Sequence, residues 1–278
     1  MNVGVVGLGL IGGSIAKAFK RYTNHNILGM DIEHVAVTAA ELLGAVDEEL
    51  TFEKLDMCDI IIIATYPRTT VEFLEDNASR IKKGAKVIDC GGVKRTVCEK
   101  CFDIAEKNGF EFIGGHPMAG TQFTGFKYSV ENMFDGASII LVPNRTDDIS
   151  FLSEIKNLFL NIGFASVTIS KADEHDEIIA FTSQLAHVVS NAYVKSPTAK
   201  RHKTFSAGSY KDLTRVAKLN ETMWSELFID NGDNLSRELE SLISELSKYN
   251  EAIKNKDFEG LKELLKHGRE LKERIDGV

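Results

Sequence analysis

Two histidines, two cations and one carboxylate stand out in this sequence, because each sits among residues that give it chemistry to do. His116 lies in Gly114-Gly115-His116-Pro117-Met118-Ala119-Gly120-Thr121, which reads as a glycine-rich loop following a strand. Placed by such a loop at the carboxyl edge of a sheet, a neutral imidazole can take a proton from a bound molecule near pH 7. It could equally be bonded to loop backbone, and the motif alone does not choose. Ser183 and His187 are four residues apart on a segment with helical periodicity, hence on one face. Polar side chains within an apolar stripe either satisfy one another and the core or face a polar ligand. Lys211 and Arg215 fall one turn apart on a helix opened by Gly208 and Ser209. A guanidinium can hold a carboxylate through two parallel hydrogen bonds, although a solvated helix face is the ordinary use of two such cations.

The carboxylate is Asp31, and its meaning comes from the glycines before it. Val3-Gly4-Val5-Val6 runs into Gly7-Leu8-Gly9-Leu10-Ile11-Gly12, a GxGxxG turn between a strand and a helix continuing through Ser14, Ala16, Ala18 and Phe19. In such a turn the first glycine allows the tight bend, the second lets backbone approach a pyrophosphate, and the third lets helix and strand pack closely. Leu10 and Ile11 open the helix, whose free N–H groups form an anion site. Asp31 follows about twenty residues later, at the end of the second strand, where it can accept the adenosine ribose hydroxyls. No arginine follows it in Ile32-Glu33-His34, so the expected cofactor is NAD, not NADP. Thr65, directly after the apolar run Ile60–Ala64, is assigned to the same cofactor site.

These residues need a frame. Short β-branched runs at 3–6, 27–30, 60–64, 86–89, 111–113, 138–142 and 165–169 alternate with helix-length segments, which predicts βαβ units and a mostly parallel sheet covered on both faces. From Asp173 onward only helical periodicities appear, including Leu235, Leu239, Leu242, Ile243 and Leu246, then Phe258, Leu261, Leu264, Leu265 and Leu271. The expected organisation is a Rossmann-type domain, residues 1–171, and an all-helical domain, residues 172–278. The helical part is expected to share its core with a second copy in a homodimer.

At 278 residues, 43% hydrophobic and 27% charged, the chain reads as an ordinary globular protein and not a disordered or fibrous one. Forty-one acidic against thirty-three basic residues give a net charge of −8, so nothing in the balance draws it to nucleic acid or an anionic membrane. Residues 1–19 imitate a signal peptide, but glycines at fixed spacing make them strand, turn and helix; the run 60–64 is far too short to cross a bilayer. Four clustered cysteines do not make a disulfide framework, and a reducing, cytoplasmic setting is expected. Cys98-Glu99-Lys100-Cys101 has zinc or redox spacing, yet no second CxxC or HxxxH accompanies it, and no metal is expected. Trp224, after Met223, fits either a core position or a pocket wall.

The order and wording of several segments resemble the prephenate/arogenate dehydrogenase family of tyrosine biosynthesis. They are GLGLIGGS at the nucleotide turn, Asp89-Cys90-Gly91-Gly92-Val93-Lys94, HPMAGT, Ser183 with His187, Lys211-Asp212-Leu213-Thr214-Arg215, and Met223-Trp224. The resemblance implies NAD-dependent oxidative decarboxylation of a cyclohexadienol, prephenate or arogenate, in which hydride and CO2 leave and the ring becomes aromatic. It further implies that His116 draws off the ring hydroxyl's proton and that Arg215 binds a substrate carboxylate. His187, Ser183, Lys211, Thr121 and Gln122 would line the pocket, with tyrosine as a possible inhibitor at His187. Two departures stand out. Relatives commonly carry serine where this chain has Gly92, and many carry glutamate where it has Gln122, which leaves keto and amino substrates both open. A β-hydroxyacid or imine dehydrogenase would share the glycine turn and helical second domain, but typically relies on a lysine from that domain and does not need HPMAGT. A catalytically silent NAD-binding sensor is the reading that Gly92 alone favours.

Overall fold

The computed structural model describes residues 1–277. Residues 1–231 and 232–278 form two compact units. The first is built on an eight-stranded sheet of β1 (Asn2–Val6), β2 (Asn26–Met30), β3 (Glu48–Glu49), β4 (Ile60–Ile63), β5 (Lys86–Asp89), β6 (Glu111–Pro117), β7 (Ser138–Pro143) and β8 (Ser166–Ile169). Their spatial order is β3-β2-β1-β4-β5-β6-β7-β8, parallel throughout except where β6 pairs antiparallel with β7. The order reverses beside β1, so the crevice at the carboxyl ends of β1 and β4 is where such a sheet binds its ligand.

Central β4 is four consecutive isoleucines because both its faces are covered. Ile60 and Ile62 pack with Ile15 and Phe19 of α1 (Leu10–Tyr22), Val37 and Ala40 of α2 (His34–Leu42), and Ile155 and Phe159 of α5 (Ile149–Asn161). Ile61 and Ile63 pack on the other face with Val71 and Leu74 of α3 (Pro67–Asn77) and Val97, Cys98 and Cys101 of α4 (Arg95–Asn108). Each expected strand forms; the two-residue β3, a short charged edge, was not anticipated.

One expectation is corrected. Gly114-Gly115-His116-Pro117 is not loop but the second half of β6, which extends four residues beyond the predicted strand. The glycines serve close packing: a Cβ on Gly114 would lie 2.5 Å from Cys98 Sγ of α4, and one on Gly115 would lie 2.4 Å from the Asp89 carbonyl oxygen of β5.

After the sheet the unit continues with α6 (Ala172–Ile179), a π-helical turn (Ala180–Leu185), α7 (Ala186–Tyr193), α8 (Gly208–Thr214) and α9 (Glu221–Asp230). The second unit holds α10 (Gly232–Lys254) and α11 (Phe258–Asp276), with Ile243, Leu246, Ile253, Phe258, Leu265, Leu271 and Ile275 exposed. Among the described residues no strand follows Ile169, and no helix is long and apolar enough to cross a membrane.

Candidate active site

At the carboxyl end of β1 the chain turns through Gly7, which has φ +88°, and donates Gly7 N–H to the Met30 carbonyl. A Cβ on Gly7 would lie 2.7 Å from the Ala64 carbonyl oxygen, and one on Gly12 only 1.8 Å from the Gly7 oxygen. Gly9 faces open space, with nothing within 4 Å of an added Cβ. The bend, close packing and open backbone are therefore divided among the three glycines as a dinucleotide turn requires. α1 starts at Leu10 with no side-chain cap and no acidic residue in its first turn, leaving its N–H groups for an anion. Asp31 is fixed beside them: Oδ2 accepts Leu8 N–H at 2.6 Å and Oδ1 accepts Glu33 N–H at 2.9 Å. A carboxylate has about four lone-pair sites, so acceptor capacity remains for ribose hydroxyls. Thr65 borders the turn, with its Cγ2 3.0 Å from an ideal Gly7 Cβ and its hydroxyl 2.9 Å from that of Thr70.

His116 stands near the carboxyl end of β6, and β6 is tied to the loop after β5 by a buried acid. Asp89 Oδ1 accepts Gly115 N–H at 3.0 Å, while Oδ2 accepts Gly91 N–H at 2.8 Å and pairs with the ammonium of Lys94. Both side chains of this ion pair are fully buried. The loop carries Gly92, whose ideal Cβ would be 3.9 Å from His116 Nε2. On the other side of the ring His116 Nδ1 is 2.9 Å from His175 Nε2, and His175 Nδ1 is 2.7 Å from Asp176 Oδ1. Burial chiefly, with His175 and the Lys94 ammonium beside it, holds His116 well below the ordinary histidine value, so its imidazole is neutral at pH 7. Burial alone would raise Asp176. Hydrogen bonds from His175 and from the backbone N–H groups of Arg95 and Lys94 outweigh it and keep the carboxyl below its ordinary value.

A second cluster gathers around the π-helical turn, a form frequent at functional sites. Ser183 and His187 meet as their spacing allows, through the Ser183 backbone carbonyl, which receives His187 Nδ1–H at 2.8 Å. Nε2 is left as the acceptor of a neutral ring. The imidazole stacks on Trp224 at 4.0 Å between centroids, 28° from parallel. Burial chiefly, together with the charge of Arg215, lowers the His187 pKa. Arg215 and Lys211 are exposed, and among the described residues neither has an ion-pair partner. The clusters are joined by Gln184, whose Nε2 donates to the Leu227 carbonyl, and by Leu227 itself, whose methyls lie 3.5 Å from an ideal Gly92 Cβ.

Residues 15–168 match the family model described as prephenate dehydrogenase, nucleotide-binding domain, and residues 171–267 match prephenate dehydrogenase, dimerization domain. The chain belongs to the prephenate dehydrogenase family. It is 31% identical over 269 residues to the prephenate dehydrogenase of Bacillus subtilis, covering 92% of this chain and 71% of that protein. The prephenate dehydrogenase of Aquifex aeolicus in complex with hydroxyphenyl propionate and NAD+ superposes with a TM-score of 0.84 at 30% identity, over 99% of this chain and 98% of that one. Synechocystis arogenate dehydrogenase superposes with a TM-score of 0.81 at 26% identity, over 99% and 100%.

Within this family member the structure does not bring every expected residue together. Thr121 and Gln122 are exposed beyond β6; Thr121 Oγ1 accepts Phe123 N–H, and among the described residues no hydrogen bond joins either to His116 or His187. Cys98 and Cys101 are free thiols packed in the core, where burial pushes Cys101 up to about 12 and Cys98 further. The residues that sequence reasoning missed are His175, Asp176 and Asn231. His175 and Asp176 sit in the acidic run Asp173-Glu174-His175-Asp176-Glu177, which looks solvated. The available signal was their register: they precede the buried Ile179 and Ala180 by four residues and so share that face.

Proposed function

We propose that this chain catalyses the NAD-dependent oxidative decarboxylation of prephenate or arogenate, with residues 1–171 holding the dinucleotide and 172–278 supplying substrate contacts and a homodimer interface. The observation that carries the reading is His116: a neutral histidine with Nδ1 engaged and Nε2 beside the side-chain-free Gly92. Gly7, Gly9, Leu10, Ile11, Gly12, Asp31 and Thr65 would hold the cofactor, which supplies a hydride acceptor when bound.

His116 Nε2 takes the proton of the ring hydroxyl as hydride leaves the same carbon. The electron pair of the bond to the departing carboxylate then flows through the ring to that oxygen, which recovers the proton as a phenol forms. No proton is gained or lost overall, and aromatisation makes the step effectively irreversible. Arg215 pairs with a substrate carboxylate, and His187, Ser183, Lys211, Thr121 and Gln122 line the pocket. Tyrosine, which keeps the product's phenol and carboxylate, would inhibit by occupying the same place near His187. The exposed apolar residues of α10 and α11 support the homodimer, and four free cysteines support a reducing cytoplasm.

The test is NADH formation with prephenate and arogenate assayed side by side. Turnover of at least one is expected, and a chain that binds NAD but turns over neither overturns the reading. Turnover of a β-hydroxyacid instead would move the chain to the other dehydrogenase class.

A further inference from the structure

Asp176 can only accept. Its Oδ1 receives Lys94 N–H at 2.8 Å, its Oδ2 receives Arg95 N–H at 2.9 Å and lies 3.4 Å from Arg95 Nε, and its side chain is fully buried. His175 must therefore donate from Nδ1 to Asp176 Oδ1, which leaves the Nε2 of a neutral His175 with a lone pair. The proton between the two histidines then rests on His116 Nδ1, and His116 Nε2 carries the lone pair that a base needs. Two further observations make this side of the ring decisive. At Gly92 no side chain reaches His116 Nε2, so the orientation of the imidazole comes from Nδ1. The partner is also rigid: His175 is buried in α6, and Asn231 Nδ2 bonds both the Asp176 carbonyl and Gln184 Oε1 at 2.8 Å.

We propose that His175 and Asp176 complete a proton relay with His116. As His116 Nε2 takes the substrate's proton, the Nδ1 proton shifts towards His175 Nε2, and the positive charge is shared against the Asp176 carboxylate. When the ring oxygen recovers its proton the shift reverses, so the bonds and protons of the cycle balance without exchange with solvent. The other charges around this pair include the Lys94 ammonium, paired with Asp89, the Arg95 guanidinium, which leans on Asp176, and the Asp230 carboxyl, which feels the charge of Asp176. Asp176 is the anion that makes an added positive charge tolerable between those two cations. His175 and Asp176 act through His116 and are positioning residues. The proposal rests on the reading of His116 as the group that takes the hydroxyl proton.

Asp176 also caps the first turn of α4 through Lys94 and Arg95, so an Asp176→Asn variant confounds folding with function. The test is therefore made at His175 in the full-length enzyme. His175→Leu removes the acceptor; His175→Gln restores one, since a carboxamide oxygen can accept His116 Nδ1–H but cannot carry the proton onward. The expected result for His175→Leu is a kcat lower by about 10-fold or more, by analogy with the loss of a partner that orients a metal-bound or catalytic histidine, with KM and the NAD dissociation constant within about threefold of wild type. His175→Gln should recover part of that loss. In single-turnover measurements of the hydride step, the dependence of rate on deuterium fraction should be curved for wild type, from two protons in motion, and linear for His175→Gln.

A His175→Leu enzyme within about twofold of wild-type kcat overturns the relay. So do equal losses in the Leu and Gln variants with raised KM and a lowered melting temperature, the pattern of a structural tie, and so does a curved dependence that persists in His175→Gln. His116→Asn is measured in parallel: near-normal turnover there defeats the underlying reading of His116, whereas a dead His116→Asn beside an active His175→Leu defeats the relay alone.

Discussion

Replacing Gly115 with alanine tests whether the spacing of β5 and β6 is what places His116. The added Cβ would lie 2.4 Å from the Asp89 carbonyl oxygen and 3.0 Å from Ile88 Cγ2. Ordinary contact to that oxygen needs about 1 Å more, so β6 must move away from β5 by about that much. The Gly115 N–H bond to Asp89 Oδ1, at 3.0 Å, and the 2.9 Å contact of His116 with His175 both belong to the part that moves. A misplacement of about 1 Å at a reacting group costs on the order of 10²-fold in rate, so kcat should fall by about that factor. Overpacking of this kind costs about 1–3 kcal/mol of stability, and the variant should remain folded by circular dichroism. NAD affinity, titrated by fluorescence, should stay within about threefold, because β4 and β5 separate β6 from the glycine turn on β1. Gly120→Ala is the control, since nothing lies within 4 Å of its added Cβ. A folded Gly115→Ala enzyme with kcat within about twofold of the control would refute the argument that strand spacing sets the position of the base.

Asp31→Asn keeps an acceptor for Leu8 N–H but loses the charge that repels a 2′-phosphate, so the ratio of NAD to NADP affinity should fall by about tenfold or more; an unchanged ratio removes Asp31 from the ribose site. Gly12→Ala would place a Cβ 1.8 Å from the Gly7 oxygen, and calorimetric titration should find NAD binding lost. Arg215→Ala should raise the substrate KM by roughly 30-fold or more with NAD affinity unchanged, because the guanidinium, exposed in the free protein, would be enclosed with the substrate carboxylate on binding, and truncating one partner of such a pair costs about 2–5 kcal/mol. A KM within about twofold of wild type assigns Arg215 to a solvated face. The folded state holds His116 below its unfolded value, so both states are neutral above about pH 6.5, and below it the unfolded chain binds a proton that the folded chain refuses. The melting temperature should therefore fall between pH 6.5 and 5 more steeply for wild type than for His116→Asn, and parallel curves would contradict the assignment.

The sheet was legible wherever β-branched residues ran together, as in Ile60–Ile63, because a strand covered on both faces has no other composition open to it. It was illegible where packing overrode propensity. Gly114 and Gly115 carry loop chemistry in isolation, and only the proximity of Cys98 and Asp89 makes glycine the residue a strand needs there. The glycine turn and His116 were visible because local wording carries them. The His175–Asp176 pair was not, since a charged run at the start of a helix reads as solvated until its face is known to be buried. Nor could spacing along the chain show that residues 59 apart in sequence, His116 and His175, share a hydrogen bond. The π-helical turn was hidden for a related reason: it keeps the composition of an α-helix and changes only the register.

The enclosed pair of Asp89 and Lys94 constrains how this protein can change over generations. Removing either partner strands the other as a lone charge in the interior, at a cost of about 3–5 kcal/mol, whereas replacing both with apolar residues of similar volume is often nearly neutral. Against the 5–15 kcal/mol that typically separates folded from unfolded chains, a single-step loss takes from about a fifth of the margin to all of it, and a double replacement takes far less. Because Asp89 also receives the Gly115 and Gly91 N–H groups, even the double replacement would orphan two backbone donors beside His116. A change at one of positions 89, 94 and 115 is thus expected to carry a stability cost that a matched change at the others reduces, and the three should vary together.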